Sequence, residues 1–310
     1  MMNYNLFKEV MVERIMDFLP PVFRGCEPVV EKITKVNREM DALTIRPTNG
    51  SKDIALPIVY LDEMYDIFKE NEDMDSILAF AAGIFLNYTG ALEPKHCEIT
   101  PESIKKHVIP NLINTKRNER LLESIPHRNY LDISIIYRVM VESEYEGFDT
   151  LVVTDELLEM SGMSPEELHE TAVQNMYDNF PLRADSLQEE DCGASEIFTK
   201  NFIIVSNVQE LFGAAYMLCN DVLDCIADEF GVDDLYIVPL SIDEFCVVEA
   251  REEYLDRLAQ LLYNKNISCE DSRCFLTDSV YSIVRAHRRC MWQPLPPLKQ
   301  LVLISQPVQE

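Results

Sequence analysis

The stretch from Thr150 to Asn179, TLVVTDELLEMSGMSPEELHETAVQNMYDN, constrains the fold more than any other part of the chain. Its β-branched opening predicts a strand, and Thr154 directly after it carries the side-chain oxygen that caps the short helix DELLEM. Gly162 supplies the left-handed residue that stops that helix. Ser164, Pro165 and Glu167 then match a capping box with proline in the first turn. Leu168 and Ala172 recur after it on one helical face, with His169, Val173 and Met176 on the face beside it, so strand, helix, stop and helix are all specified locally.

The rest of the chain repeats that logic more loosely. A first helix is expected from about Asn5 to Phe18, ended by Pro20 and Pro21. Alternating patterns at Val29–Val36 and Leu43–Arg46, a turn signal at Asn49–Gly50 and a strand at Ile54–Tyr60 lead into a helix at LDEMYDIFKEN. A second unit runs from SIIYRVMV (Ser134–Val141) into the opening stretch, and a third from LYIVPLSIDEFCVVEA into the leucine-striped REEYLDRLAQLLYNK. Between them, NFIIV reads as a strand feeding a helix around Leu211–Cys219, and Gly231 as a helix end. Recurring strand-turn-strand-helix units of unequal length predict an α+β class, with helices packed on antiparallel or mixed sheets.

Polar breaks at Gly90–Thr100 and at Arg183–Glu196 suggest four regions: 1–95, 96–192, 193–290 and a proline-containing tail at 291–310. The net charge of -27 is spread over every third of the chain, which implies a solvated acidic surface and no acidic tail. Direct nucleic-acid binding is not expected, because phosphate contacts need clustered Lys and Arg. Beside the plain reading, in which negative charge keeps the protein in solution, stand two functional ones: docking onto a basic partner, or imitation of nucleic acid. Glu9, Glu13 and Asp17 interrupt the apolar positions of the amino terminus, so no signal peptide is expected. The longest apolar run, Ile77–Leu86, is too short to span a bilayer and predicts a buried helix. Nine cysteines, an odd number in a long chain, point to reduced thiols and a cytoplasmic compartment.

No transferable catalytic or phosphate-binding motif occurs, which leans the reading away from an enzyme. Three residues are weak catalytic candidates. His169 reads as a general base assisted by Glu166 or Glu170, or as a core-facing histidine. Asn175 reads as a ligand contact or as a partner for a neighbouring backbone. Asp243, with Glu244 beside it on the PLSIDE connection, reads as a weak cation ligand, since adjacent carboxylates at a strand entry point to opposite faces. No metal site and no cofactor is expected, the least implausible ligand set being Cys269, Cys274 and His287. The basic cluster Arg285, Arg288 and Arg289, with Trp292 and QPLPPLK after it, is the candidate contact for a peptide-binding or other protein partner. Its alternative is a terminal arm folded onto its own acidic body.

IPHRN at Ile125–Asn129, SIIYRVMV, TDELLEMSGMSPEELHETAVQNM, ELFGAAYMLCNDVL and LYIVPLSIDEF together resemble the uncharacterised bacterial YtpQ-like proteins and related domains of unknown function. The likeness spans about residues 40–285, and its most specific element comprises Ser164, Glu166, Glu167, Leu168, His169, Ala172 and Asn175. The chain departs from that pattern in lacking an aspartate-glycine pair before Gln209 and in carrying Pro239–Leu240 where a Pro-His pair is usual. The resemblance implies a bacterial, cytoplasmic α+β protein and transfers no reaction. The leading expectation is a non-catalytic protein that binds another macromolecule; the alternatives are a hydrolase or transferase built on His169 and carboxylates, and an acidic nucleic-acid mimic.

Overall fold

The computed structural model describes residues 2–48, 57–87, 99–142, 148–186, 202–269, 272–284 and 291–294. The chain divides into two units, Met1–Glu98 and Ile99–Glu310. The class is α+β, and every strand pair among the described residues is antiparallel.

In the first unit, α1 (Tyr4–Arg14) starts at Asn3, whose side chain accepts the Leu6 N–H, and tightens into a 3-10 turn at Ile15–Phe18. The hairpin of β1 (Cys26–Lys35) and β2 (Arg38–Pro47) turns at Asn37, which adopts the left-handed φ of 64° that asparagine tolerates. Of the strand expected at Ile54–Tyr60, the described part is β3 (Val59–Tyr60), and Asn49–Gly50 lies outside the described residues. α2 (Leu61–Asn71) and α3 (Met74–Asn87) follow. Phe7 and Met11 from α1, Leu43 from β2, Leu61 and Phe68 from α2, and Leu78 and Phe85 from α3 form one core. The helix expected at Ile77–Leu86 buries one face and leaves Phe80 exposed on the other. Lys8 Nζ lies 2.6 Å from Asp41 and the Tyr4 hydroxyl donates to the same carboxylate at 3.0 Å. The Lys8 hydrogen bond, aided by Tyr4, holds that carboxyl below its ordinary value.

The second unit contains two sheets. α4 (Pro101–His107) runs directly into β4 (Val108–Asn114), and α5 (Glu119–Leu122) precedes the hairpin of β5 (Arg128–Tyr130) and β6 (Ile133–Glu142). β6 pairs with β4 along one edge and with β5 and then β7 (Phe148–Val152) along the other. α6 (Asp155–Ser161) and α7 (Pro165–Asn179) follow as expected, with Gly162 at φ 68° between them. The connection expected from Arg183 instead opens as β8 (Leu182–Ser186), which pairs with β9 (Phe202–Asn207).

The helix expected around Leu211–Cys219 is a 3-10 segment, Gly213–Leu218, entered through Phe212 at φ 53°. An α-helix does not start from that left-handed residue, so the α-helical part is delayed to α8 (Asn220–Phe230), closed by Gly231. β10 (Asp234–Pro239), β11 (Phe245–Glu249), α9 (Leu255–Ser268), β12 (Tyr281–Val284) and β13 (Met291–Pro294) complete the order. The larger sheet runs β13-β12-β10-β11-β9-β8.

Alternation explains its apolar strands. Ile203 and Val205 of β9, Leu235 and Ile237 of β10, and Val247 of β11 face a core shared with Val108, Leu112, Tyr137, Val139, Leu168 and Met176. Phe202, Tyr236, Val238, Cys246 and Val248 face Leu255, Leu258 and Leu262 of α9. These three strands are therefore covered on both faces, as near-continuous apolar runs require. Burial of each α9 leucine contributes about 1.5–3 kcal/mol. The shared core takes residues from both sides of the 192/193 boundary.

Candidate functional site

α7 places its polar residues through its own capping and packing. Ser164 Oγ accepts the Glu167 N–H at 3.2 Å, and Glu167 Oε2 accepts the Ser164 N–H at 2.8 Å. With Leu168, Ala172 and Met176 buried, the adjacent His169 is directed toward β6. Its Nδ1 lies 3.2 Å from the Tyr137 hydroxyl, and the rings meet edge-on with centroids 6.1 Å apart. Tyr137 is only 2% exposed, so its hydroxyl requires a protein partner, and His169 supplies one.

Arg128 approaches from β5. Its partner in the ladder is Ile135, which puts it on the same face as Tyr137, two residues along β6. Arg128 Nη2 donates to the Pro165 carbonyl at 3.4 Å and stands 3.7 Å from the exposed Glu166 carboxylate. Burial, offset in part by the Arg128 charge, pushes the Tyr137 phenol up to about 12. Burial and then Arg128 depress His169 below 6.5, while Glu170 acts weakly the other way. A phenol, an imidazole and a guanidinium thus converge within one patch.

The depressed His169 value gives a signed expectation. The unfolded chain takes up the proton first as pH falls through 6.5, so this group's contribution is complete above 6.5 and declines as pH falls toward the folded value. Thermal midpoints measured on either side of pH 6.5 are expected to fall on the acid side, and to fall less in His169→Gln.

Asn175 is occupied structurally. Its Nδ2 donates to the Lys105 and Val108 carbonyls, both at 2.9 Å, and so closes the end of α4. Asn175→Ala is expected to cost about 1–2 kcal/mol in a denaturant titration, because two helix-terminal acceptors lose their donor. Asp243 serves a backbone as well. Its Oδ1 accepts the Phe212 N–H at 2.8 Å, and its carbonyl accepts from Ser206 Oγ at 2.7 Å. Asn207 brackets the same elbow, accepting from Leu211 N at 3.1 Å and donating to Leu211 O at 2.7 Å. His169 and Asn175 thus share α7, whereas Asp243 stands on the β10–β11 connection.

Arg285, Arg288, Arg289 and His287 lie outside the described residues, and Trp292 is placed on β13 opposite Ile283. Among the described residues no group of three or more His, Cys, Asp or Glu is arranged to hold a metal ion. Burial pushes the Cys219 thiol up to about 11, which favours its protonated form near neutral pH.

Reading the sequence did not single out Arg128 or Tyr137, both inside strands and distant in sequence from His169. The run SIIYRVMV signalled only a strand. Asn111 on β4 was also passed over: it is fully buried, and neither side-chain amide atom has a hydrogen-bond partner. Asn111→Leu is expected to leave the thermal midpoint unchanged or raise it, because an apolar side chain of similar size removes two unsatisfied groups.

A family model described as a family of unknown function (DUF5688) matches residues 4–285. No curated protein and no solved structure matches the chain. No helix among the described residues is long and apolar enough to cross a membrane.

Proposed function

We propose that this chain, which belongs to the DUF5688 family of unknown function, acts by binding another macromolecule and not by turning over a substrate. The observation that carries the reading is the charge of -27, distributed along a chain whose candidate polar residues Asn175 and Asp243 are engaged with its own backbone. Such a surface attracts a partner with clustered Lys and Arg and accelerates encounter at low salt. It repels nucleic acid.

The same reading takes the chain as a bacterial, cytoplasmic protein akin to the YtpQ-like families. Its support is the Ser164–Asn175 pattern and the odd number of cysteines. Arg285, Arg288, Arg289 and Trp292 are proposed as a second contact for a protein partner.

Affinity capture from an extract of the source cells, over a salt gradient, tests the proposal. A specific basic protein retained at low salt and released at high salt is expected, with reduced capture when the chain is cut after Cys290. Recovery of nothing specific at mild salt by either form overturns it. If the captured protein is a DNA-binding protein whose DNA competes with the chain, the partner is being blocked by imitation of nucleic acid.

A catalytic reading is favoured by one observation, the Tyr137–His169 hydrogen bond beside Arg128. A phenol paired with an imidazole is a proton-transfer couple suited to a hydrolase or transferase. Loss of a screened activity in both His169→Gln and Tyr137→Phe, with the fold retained, would favour it over the binding reading.

A further inference from the structure

We propose that Arg128 and His169 form a binding clamp for a small oxyanion, a phosphate or carboxylate group, with Tyr137 as the positioning residue that fixes the imidazole. This inference is independent of the macromolecule-binding reading above.

Arg128 reaches the first turn of α7 through the Pro165 carbonyl, at 3.4 Å. Residue 169 lies four positions beyond 165, one helical turn along the same face, so the imidazole is stacked next to the site where the guanidinium docks. The Tyr137 hydroxyl occupies His169 Nδ1 at 3.2 Å, which leaves Nε2 as the ring nitrogen that this bond does not use. When Tyr137 donates to Nδ1, Nε2 carries the proton and is a donor. A ring fixed through one nitrogen so that the other addresses a ligand is the arrangement by which a second group tunes a binding histidine.

The guanidinium is incompletely neutralised. Among the described residues its carboxylate contact is Glu166 at 3.7 Å, with the Glu166 side chain 75% exposed, and exposed contacts of that length are weak. The proposed oxyanion lies between these two donors, which come from different elements, β5 and α7, and it competes with the Pro165 carbonyl and the Tyr137 hydroxyl for the guanidinium. A tetrahedral oxyanion offers oxygens in several directions and suits donors arriving from two elements; a planar carboxylate suits the guanidinium alone. Glu166 and Glu170 are the carboxylates bordering the pair, and a bound anion must displace the first from Arg128.

Binding also couples to protonation. Arg128 disfavours imidazolium, and an anion that neutralises Arg128 removes that repulsion, so ligand binding and proton uptake at His169 reinforce one another. The clamp is expected to tighten as pH falls.

The test uses the full chain with inorganic phosphate and, separately, acetate, followed through the His169 ring resonances by NMR at several pH values. Saturable, phosphate-dependent shifts are expected, with a higher His169 titration midpoint in phosphate than in chloride at equal ionic strength. Arg128→Gln is expected to weaken phosphate binding about tenfold, the equivalent of one charge-assisted hydrogen bond. Tyr137→Phe, with its unbound fold checked by amide spectra, is expected to weaken it less and to flatten its pH dependence. Shifts with acetate as large as with phosphate assign the ligand to the carboxylates. Shifts that are linear in salt and identical in Arg128→Gln, or no shift with either anion, overturn the proposal and leave His169 as a partner for a buried phenol.

Discussion

Asp132→Ala is expected to destabilise the second unit by on the order of 3–5 kcal/mol. Asp132 lies in the tight turn between β5 and β6, next to Leu131 at φ 57°. Its Oδ2 accepts from Thr277 Oγ1 at 2.5 Å and Ser279 Oγ at 3.2 Å, and its Oδ1 accepts from the Tyr281 hydroxyl at 2.5 Å. Thr277 and Tyr281 are completely buried, so removing the carboxylate takes a close acceptor from both hydroxyls where water does not replace it. Burial and the Asp132 hydrogen bond together push the Tyr281 phenol far above its ordinary range. Asn114 reinforces the junction by donating to the Leu276 carbonyl at 3.0 Å. Denaturant midpoints should rank wild type, Tyr281→Phe and Asp132→Ala in falling order, since the phenylalanine removes donor and need together. Equal midpoints for Asp132→Ala and wild type would show that the hydroxyls find other acceptors.

The second large effect is expected at Gly213. A Cβ there would stand 2.5 Å from the Asp243 carbonyl oxygen, 2.6 Å from Ser206 Oγ and 2.8 Å from Ser206 Cα. Two of these three atoms belong to backbone, so the strain is not relieved by rotating a side chain. Gly213→Ala is expected to cost about 3 kcal/mol, at the upper end of overpacking penalties, and to break the Ser206–Asp243 hydrogen bond. Gly83 is the internal control. It lies within α3, and a Cβ there meets nothing within 4 Å. Alanine at 83 should therefore stabilise by up to about 1 kcal/mol through helix propensity. Opposite signs for the same substitution, read as thermal midpoints, separate close approach from backbone freedom.

These two sites mark where the sequence ceased to be informative. The helices from Asp155 to Asn179 were legible because each cue acts within a few residues: Thr154 on Leu157, Ser164 on Glu167, Gly162 on its own φ. The elbow at Phe212 was not, because its left-handed backbone is held by the Asp243 carboxylate, 31 positions on. Helical spacing of apolar residues around Leu211–Cys219 therefore suggested an α-helix where a 3-10 segment forms. The candidate site divides likewise. His169 and Asn175 stood out as polar residues on an apolar helix, yet their partners lie 32 positions away for Tyr137 and 67 for Val108. Periodicity reports which face is buried, not what that face meets. Asp132 had no local pattern at all, since an acidic residue in a hairpin turn is ordinary until its three hydroxyl partners arrive from the segment that leads into β12.

The core shared by Val139 and Leu168 on one side and Ile237 and Ile283 on the other sets an order of events during synthesis. When the ribosome has passed β8, the smaller sheet and α7 are complete, but the apolar face they present has no cover. Cover arrives with β9 to β12, whose last residue is Val284. At roughly 5–20 residues per second, the wait is on the order of 5–20 s. Through that interval the nascent second unit is a substrate for chaperones.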